Sequence, residues 1–174
     1  MARDHARILT RVWADADWRK LTAAEQRAYI LVLSDPSLTY CGVTAITVKR
    51  WAQQASDTPE RLLRKAFDGL AARRYLVFDW DTEEVLVRSY MRNDKVLCVP
   101  NVAKSAYASY RAILSPQIKA ELIVELHRIR KAHPDAYRDV AIAAVEAWLT
   151  EPIPEGLAQP LPEGSAQWLP EGLR

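Results

Sequence analysis

The stretch Thr58–Trp80, "TPERLLRKAFDGLAARRYLVFDW", sets arginines and lysines against a regular apolar pattern and then changes abruptly to aromatic and β-branched residues. On a helical wheel of about 3.6 residues per turn, Leu63, Ala66, Phe67 and Leu70 share one face with Leu62 at its margin, while Arg61, Arg64, Lys65 and Asp68 fall opposite. Thr58 is placed to cap this helix and Pro59 to take its first position, where a missing amide costs nothing. Glu60 suits the positive end of the helix dipole. From Tyr75 the period changes to two. "YLVFDW" and "EVLVRSY" are strand-like runs separated by the acidic, turn-forming "DTE", so the helix is expected to lead into a two-stranded hairpin.

Upstream, "LTAAEQRAYILVL" opens a helix, because Thr22 followed three residues later by Glu25 is a capping box ahead of Ala28, Tyr29, Leu31, Val32 and Leu33. Asp35-Pro36 stops it, since proline lacks the next amide and pushes its predecessor out of helical geometry. "SLTYCGVTAI" reads as a loop and short strand around Gly42. Thr47 is then placed to cap "VKRWAQQA", with Val48, Trp51, Ala52 and Ala55 inward and Lys49, Arg50, Gln53 and Gln54 outward. "ARILTRVW", near the start, alternates only loosely and fits a strand or a helical turn. The resulting order is helix, short strand, helix, helix, hairpin.

That order resembles the winged helix-turn-helix, whose third helix is usually laid in the major groove and whose hairpin is the wing. At residue level, positions from about 7 to 95, with "RVWADADWRKLTAAEQRAYILVLSDPSLTYCGV", "RLLRKAFDGLAARRYLVFDWDTEEVLVRSY" and the following "MRND", resemble winged-helix proteins encoded by phages of actinobacteria. They are similar, more remotely, to the N-terminal domain of phage replisome organisers and DnaD-like primosomal proteins. The resemblance implies DNA binding, in replication initiation or in transcriptional control.

The charge distribution agrees with a polyanionic partner. A net charge of +2 divides into 16 basic against 13 acidic residues over 1–100, 7 against 5 over 101–149, and 1 against 4 over 150–174. Seven of the basic residues, Lys49, Arg50, Arg61, Arg64, Lys65, Arg73 and Arg74, are concentrated between Thr47 and Arg74. Arg61, Arg64 and Lys65 are the expected reading set, since arginine can make the bidentate contact with guanine; Lys49 and Arg50 are expected to reach the phosphate backbone. The plainer reading is a solvated basic face, with Arg73 and Arg74 only complementing the negative end of their helix. The hairpin tip argues against a wing that tracks DNA: Asp79, Asp81, Glu83 and Glu84 would be repelled by phosphates. Trp80 there is either a partner-binding anchor or a ring packed on its own hairpin.

Residues 96–149 read as helical. "NVAKSAYASYRAIL" follows Pro100, and Ser115-Pro116 caps "QIKAELIVELHRIRK". In that helix Ile118, Leu122, Leu126 and Ile129 make an apolar stripe, with Lys119, Glu121, Glu125 and Arg128 expected mainly outside it. A last helix, "AYRDVAIAAVEAWL", carries Val140, Ala141, Ala144, Val145, Trp148 and Leu149 and must be covered, either by neighbouring helices or by a second copy. Beyond Thr150, "IPEG", "LPEG" and "LPEG" recur every eight residues with proline and glycine in each unit, so 151–174 reads as a flexible acidic tail. Leu157, Trp168 and Leu169 are candidate docking anchors within it. The expected chain is thus mainly α with a small β-hairpin wing (α+β). A winged helix-turn-helix over 1–95 precedes a C-terminal helical region over 96–150 and the disordered tail over 151–174.

Several function classes find no residues to carry them. Five glycines form no phosphate-binding loop, dinucleotide fingerprint or nucleophile elbow, and His5, His127 and His133 do not fall at metal-ligand spacing. No cofactor, no metal and no enzymatic activity are expected. Cys41 and Cys98 belong to no paired motif and read as two reduced, partly buried thiols. "MARDHARILTRVW" holds charges where a signal peptide needs an apolar run, and no stretch has the ~18 apolar residues of a membrane span, so the expected location is cytoplasmic, in a bacterial host if phage-encoded. The expected partner is double-stranded DNA; the alternative is an adaptor that binds itself or a replication protein through the C-terminal helices or tail.

Overall fold

The computed structural model describes residues 5–132 and 142–152. Among the described residues the chain is mainly helical with a small antiparallel sheet. Two 3-10 turns, Thr10–Ala14 and Trp18–Lys20, precede helix α1 (Ala23–Leu33). The segment "ARILTRVW" is therefore helical at its end, not a strand. The capping box forms as the residues dictate: Glu25 N–H donates to Thr22 Oγ1 (3.2 Å) and Thr22 N–H donates back to the Glu25 carboxylate (2.6 Å).

Strand β1 (Val43–Ala45), helix α2 (Val48–Ala52) and helix α3 (Glu60–Ala72) follow, then strands β2 (Leu76–Asp79) and β3 (Glu84–Val87). The sheet order is β1-β3-β2, with Val43 opposite Leu86 and Leu76 opposite Val87. Gly42 leads into β1 with φ +83°, and a Cβ there would lie 2.8 Å from the Tyr90 Cβ. Both the left-handed backbone and the close approach exclude any side chain at this turn.

Leu63, Ala66, Phe67 and Leu70 of α3 are buried, and each large side chain among them contributes about 1.5–3 kcal/mol through lost apolar surface. The start of α3 differs from expectation. Pro59, extended at ψ 153°, is itself the N-cap and its carbonyl accepts from Leu62 and Leu63 N–H, while the Thr58 hydroxyl donates to Asp57 instead. Proline's fixed φ serves the cap as well as it serves the first turn. Thr47 precedes α2 as expected, but its side chain makes no cap hydrogen bond, and α2 closes after one turn rather than reaching Ala55. At the far end of α3 the chain reverses through Arg74 in the left-handed region (φ 57°). Tyr75 N–H donates to Leu70 O and Arg74 N–H to Ala71 O, both at 2.9 Å, which is a Schellman closure with arginine where glycine is usual. The side chain offsets that conformational cost by bonding to Glu121.

After the sheet come helices α4 (Tyr90–Asn93), α5 (Pro100–Ala112), α6 (Pro116–Ala132) and α7 (Ile142–Leu149). The Ser115 hydroxyl accepts from Ile118 N–H (3.1 Å), capping α6. Its stripe of Ile118, Leu122, Leu126 and Ile129 is buried as the periodicity requires. Glu121 and Glu125 do not lie outside it. Both are buried, Glu121 against Arg74, and Glu125 near Arg92 (3.4 Å) and Arg128 (3.8 Å). Helix α6 is covered on a second face, and that face is ionic. Trp148 of α7 is fully buried on Tyr107 and Tyr110 of α5, with ring centroids at 5.9 and 4.9 Å. The side chains of Val140, Ala141, Ala144 and Val145 lie outside the described residues, as do His133 and, in the tail, Leu157, Trp168 and Leu169. Buried side chains from Val12 to Trp148 form a continuous cluster, so the helices after residue 96 share a core with the segment before them. Cys41 is buried, which pushes its thiol up to about 11; Cys98 is exposed rather than partly buried.

Three carboxyls are held below their usual range, and together they set an acid dependence. Burial alone would raise Glu25, but the Thr22 bonds and Arg73 (2.8 Å) outweigh it. Burial would likewise raise Asp35, which the bonds from Ser37 and Trp51 and the charge of Arg50 pull down; Asp79 is lowered chiefly by the Ser115 hydroxyl. Each group binds its proton more weakly folded than unfolded, so unfolding takes up protons and acid favours it. Stability is therefore expected to be fully present above about pH 5 and to fall progressively as pH drops through 4. Urea midpoints measured between pH 6 and pH 3 check this; a midpoint that does not move over that interval contradicts it. Asp35→Asn should lower the midpoint at neutral pH and reduce its fall in acid.

Candidate nucleic-acid interface

Helix α3 is 13 residues long, about 20 Å, and its outward side is open. Arg61, Arg64 and Lys65 are exposed, and none of the three is ion-paired among the described residues. Spacings of three and four residues put them on one face within a single turn. The two arginines that close the helix behave differently. Arg73 donates through one terminal nitrogen to Glu25 with its side chain still 46% exposed, and Arg74, largely buried, donates to Glu121, so both are tethered to the protein's own carboxylates.

Beside α3, an open groove of about 630 Å³ lies between α2, the start of α3 and the hairpin turn. Lys49, Arg50, Arg64 and Trp80 line it together with Gln53, Glu60 and Glu83. Three of the five expected cations thus converge on one concavity, with Arg61 and Lys65 on the next row around the helix, outside its lining. Arg50 extends from α2 toward Asp35 (3.3 Å) with its side chain still 58% exposed. Asp35 is the residue that sequence reading treated only as a helix stop. Its carboxylate accepts from Ser37 N–H (2.8 Å), the Ser37 hydroxyl and Trp51 Nε1–H (2.7 Å), and this buried hub fixes both α2 and the root of Arg50. The signal available was the Asp-Pro-Ser turn, whose first side chain commonly bonds to the backbone two residues on.

The acidic hairpin tip is less repulsive than its composition implies. Asp79 accepts the Ser115 hydroxyl and the backbone N–H groups of Asp81 (3.0 Å) and Thr82 (3.2 Å). Glu84 accepts Leu114 N–H (3.1 Å) and Ser115 N–H (2.7 Å). These two carboxylates tie the hairpin to the α5–α6 turn, leaving Asp81 and Glu83 exposed at the tip. Trp80 is 46% exposed and stacked on Phe78, with centroids 5.2 Å apart and planes 6° from parallel. It therefore packs on its own hairpin and also presents surface to the groove.

His127 is exposed on α6, and among the described residues no group of His, Cys, Asp and Glu side chains is arranged to hold a metal ion. No helix among the described residues is long and apolar enough to cross a membrane. The chain matches no protein-family model, no curated protein and no solved structure.

Proposed function

We propose that the protein is a winged helix-turn-helix module that binds double-stranded DNA sequence-specifically, laying α3 in the major groove, and that it serves replication initiation or transcriptional control. The observation that carries this reading is the open cationic side of α3. Arg61, Arg64 and Lys65 stand clear of the protein's own carboxylates, whereas Arg73 and Arg74 at the helix end are each paired with one. The order of helices and strands, and the antiparallel sheet in which β3 lies between β1 and β2, support the winged arrangement. A helix is the element that the major groove, about 12 Å wide, admits. Lys49 and Arg50 stand at the groove's other wall, where phosphates flanking a docked helix would pass.

Binding of labelled duplexes of about 30 bp, followed by fluorescence anisotropy from about 50 to 300 mM salt, tests the reading, because each phosphate neutralised contributes about 0.9 to the slope of log affinity against log salt. Wild-type protein should show a slope of about −3 to −5, and Lys49→Ala should reduce its magnitude by about one on every sequence alike. Binding that is absent, or indifferent to salt, removes the DNA assignment. A stoichiometric protein partner retained after nuclease treatment would favour the adaptor instead.

A further inference from the structure

Among the described residues, Arg64 is the one cation of the outer α3 face that rests on a ring. Its guanidinium carbon stands 5.3 Å from the centroid of Trp80. Trp80 is stacked on Phe78, Phe78 meets Phe67 at 5.1 Å, and Phe67 meets Trp51 at 5.6 Å. Phe67 and Trp51 are buried in the core. The support under Arg64 is thus continuous, through four rings, with the hydrophobic interior. Arg61, one turn back on the same helix, is exposed and rests on no ring among the described residues.

How an arginine is held decides what it can still do. A carboxylate holds it by the N–H edge, as Glu25 holds Arg73 and Glu121 holds Arg74, and those donors are then spent. An aromatic ring attracts the cation through the ring's own negative face and consumes no N–H. The planar fork that matches the O6 and N7 acceptors of guanine is therefore still free while the ring already favours one placement of the side chain. Glu60 and Glu83 also line the groove but form no ion pair with Arg64, so its edge is not claimed from that side either.

We propose that Trp80 is a specificity-determining positioning residue: it preorganises Arg64 so that the guanidinium reads a guanine in the major groove. This rests on the DNA-binding reading above. The hairpin then contributes to sequence recognition without itself touching DNA, which suits a tip whose exposed carboxylates, Asp81 and Glu83, keep it away from phosphates. Preorganisation raises discrimination because the ordering cost is met before binding, whereas a mobile arginine meets it in the complex.

The test is selection from a randomised duplex pool by wild type, Trp80→Ala, Trp80→Phe, Arg64→Ala and the Arg64→Ala/Trp80→Ala double variant, with affinities then measured on the selected duplex, on its single-base variants and on an unrelated duplex. The expected wild-type motif contains a guanine whose replacement weakens binding in wild type and no longer does so in Arg64→Ala. Trp80→Ala should lose roughly twofold to fivefold of that guanine preference, the range of a solvent-exposed cation–ring contact, while its affinity for the unrelated duplex is unchanged. Trp80→Phe should restore most of the preference, and the double variant should be no worse than Arg64→Ala alone. Retention of the full guanine preference by Trp80→Ala overturns the inference and leaves DNA binding standing. An equal loss on all duplexes, accompanied by a lowered thermal midpoint, also overturns it, since the ring would then only support the hairpin. If wild type enriches no motif and binds no duplex in a salt-dependent way, the DNA reading falls and takes this inference with it.

Discussion

Replacing Arg61, Arg64 and Lys65 together by alanine is expected to weaken duplex binding by about two to four orders of magnitude while leaving the protein folded. The size follows from what each side chain can contribute in contact with DNA, about 1–3 kcal/mol for an arginine at a base edge and somewhat less for a lysine at a phosphate, with incomplete additivity because the three share one helical turn. The preserved fold follows from their position. All three are exposed, none is ion-paired among the described residues, and alanine has the highest helix propensity, so the change in stability should lie within about 0.5 kcal/mol. Loss of the Arg64 contact to Trp80 is the one packing term. Anisotropy and thermal melts on the same preparations make the comparison. A triple variant that binds duplex within threefold of wild type, with a wild-type melt, would return this face to the status of a solvated helix surface.

The largest stability effect is expected at Glu125. Its carboxylate is buried beside Arg92 and Arg128, and its charge also opposes the effect of burial on Arg88, whose guanidinium is held below its usual range chiefly by burial. Arg74 sits in the same region, bonded to Glu121. Four arginines therefore face two buried glutamates, with Arg128 at the solvent edge of the cluster. Glu125→Ala leaves Arg88, Arg92 and Arg128 without their nearest counter-charge, and removing one partner of a buried ion pair costs about 3–5 kcal/mol. That is a large fraction of the roughly 5–15 kcal/mol by which a domain is usually stable. Urea denaturation should show it as a lower midpoint. The paired replacement Arg92→Met/Glu125→Met should recover part of the loss, since apolar side chains of similar length need no counter-charge. A loss below 1 kcal/mol for Glu125→Ala would mean that the cluster is hydrated and contributes little.

This cluster also marks where sequence reasoning stops. Glu121 and Glu125 alternate with Ile118, Leu122 and Leu126 in a way that, on a helix with one buried face, places carboxylates in water. Their partners Arg74 and Arg92 come from the end of α3 and from α4, far away in the chain. No local periodicity encodes that meeting. The same holds for the hairpin tip. Four carboxylates in six residues read as an anionic surface, and only the arrival of the α5–α6 turn converts Asp79 and Glu84 into hydrogen-bond acceptors for Ser115 and Leu114. At the candidate interface the cations were legible as types and spacings. Their partners were not: the position of Arg74 at the helix end separated it from Arg64, but neither Glu121 beside the one nor Trp80 beside the other is encoded in the local pattern.

What the amino-acid sequence determined unaided was local. The Thr22–Glu25 box, the stop at Asp35-Pro36, the buried row of Leu63, Ala66, Phe67 and Leu70, and the change of period at Tyr75 all depend on neighbours within about four positions, where backbone geometry alone sets which side chains meet. Tertiary structure decided which charges are free. Whether a guanidinium stays available to a ligand depends on which distant carboxylate or ring the folded chain brings within about 4–6 Å, and that is a property of the packing of whole elements rather than of any window of residues.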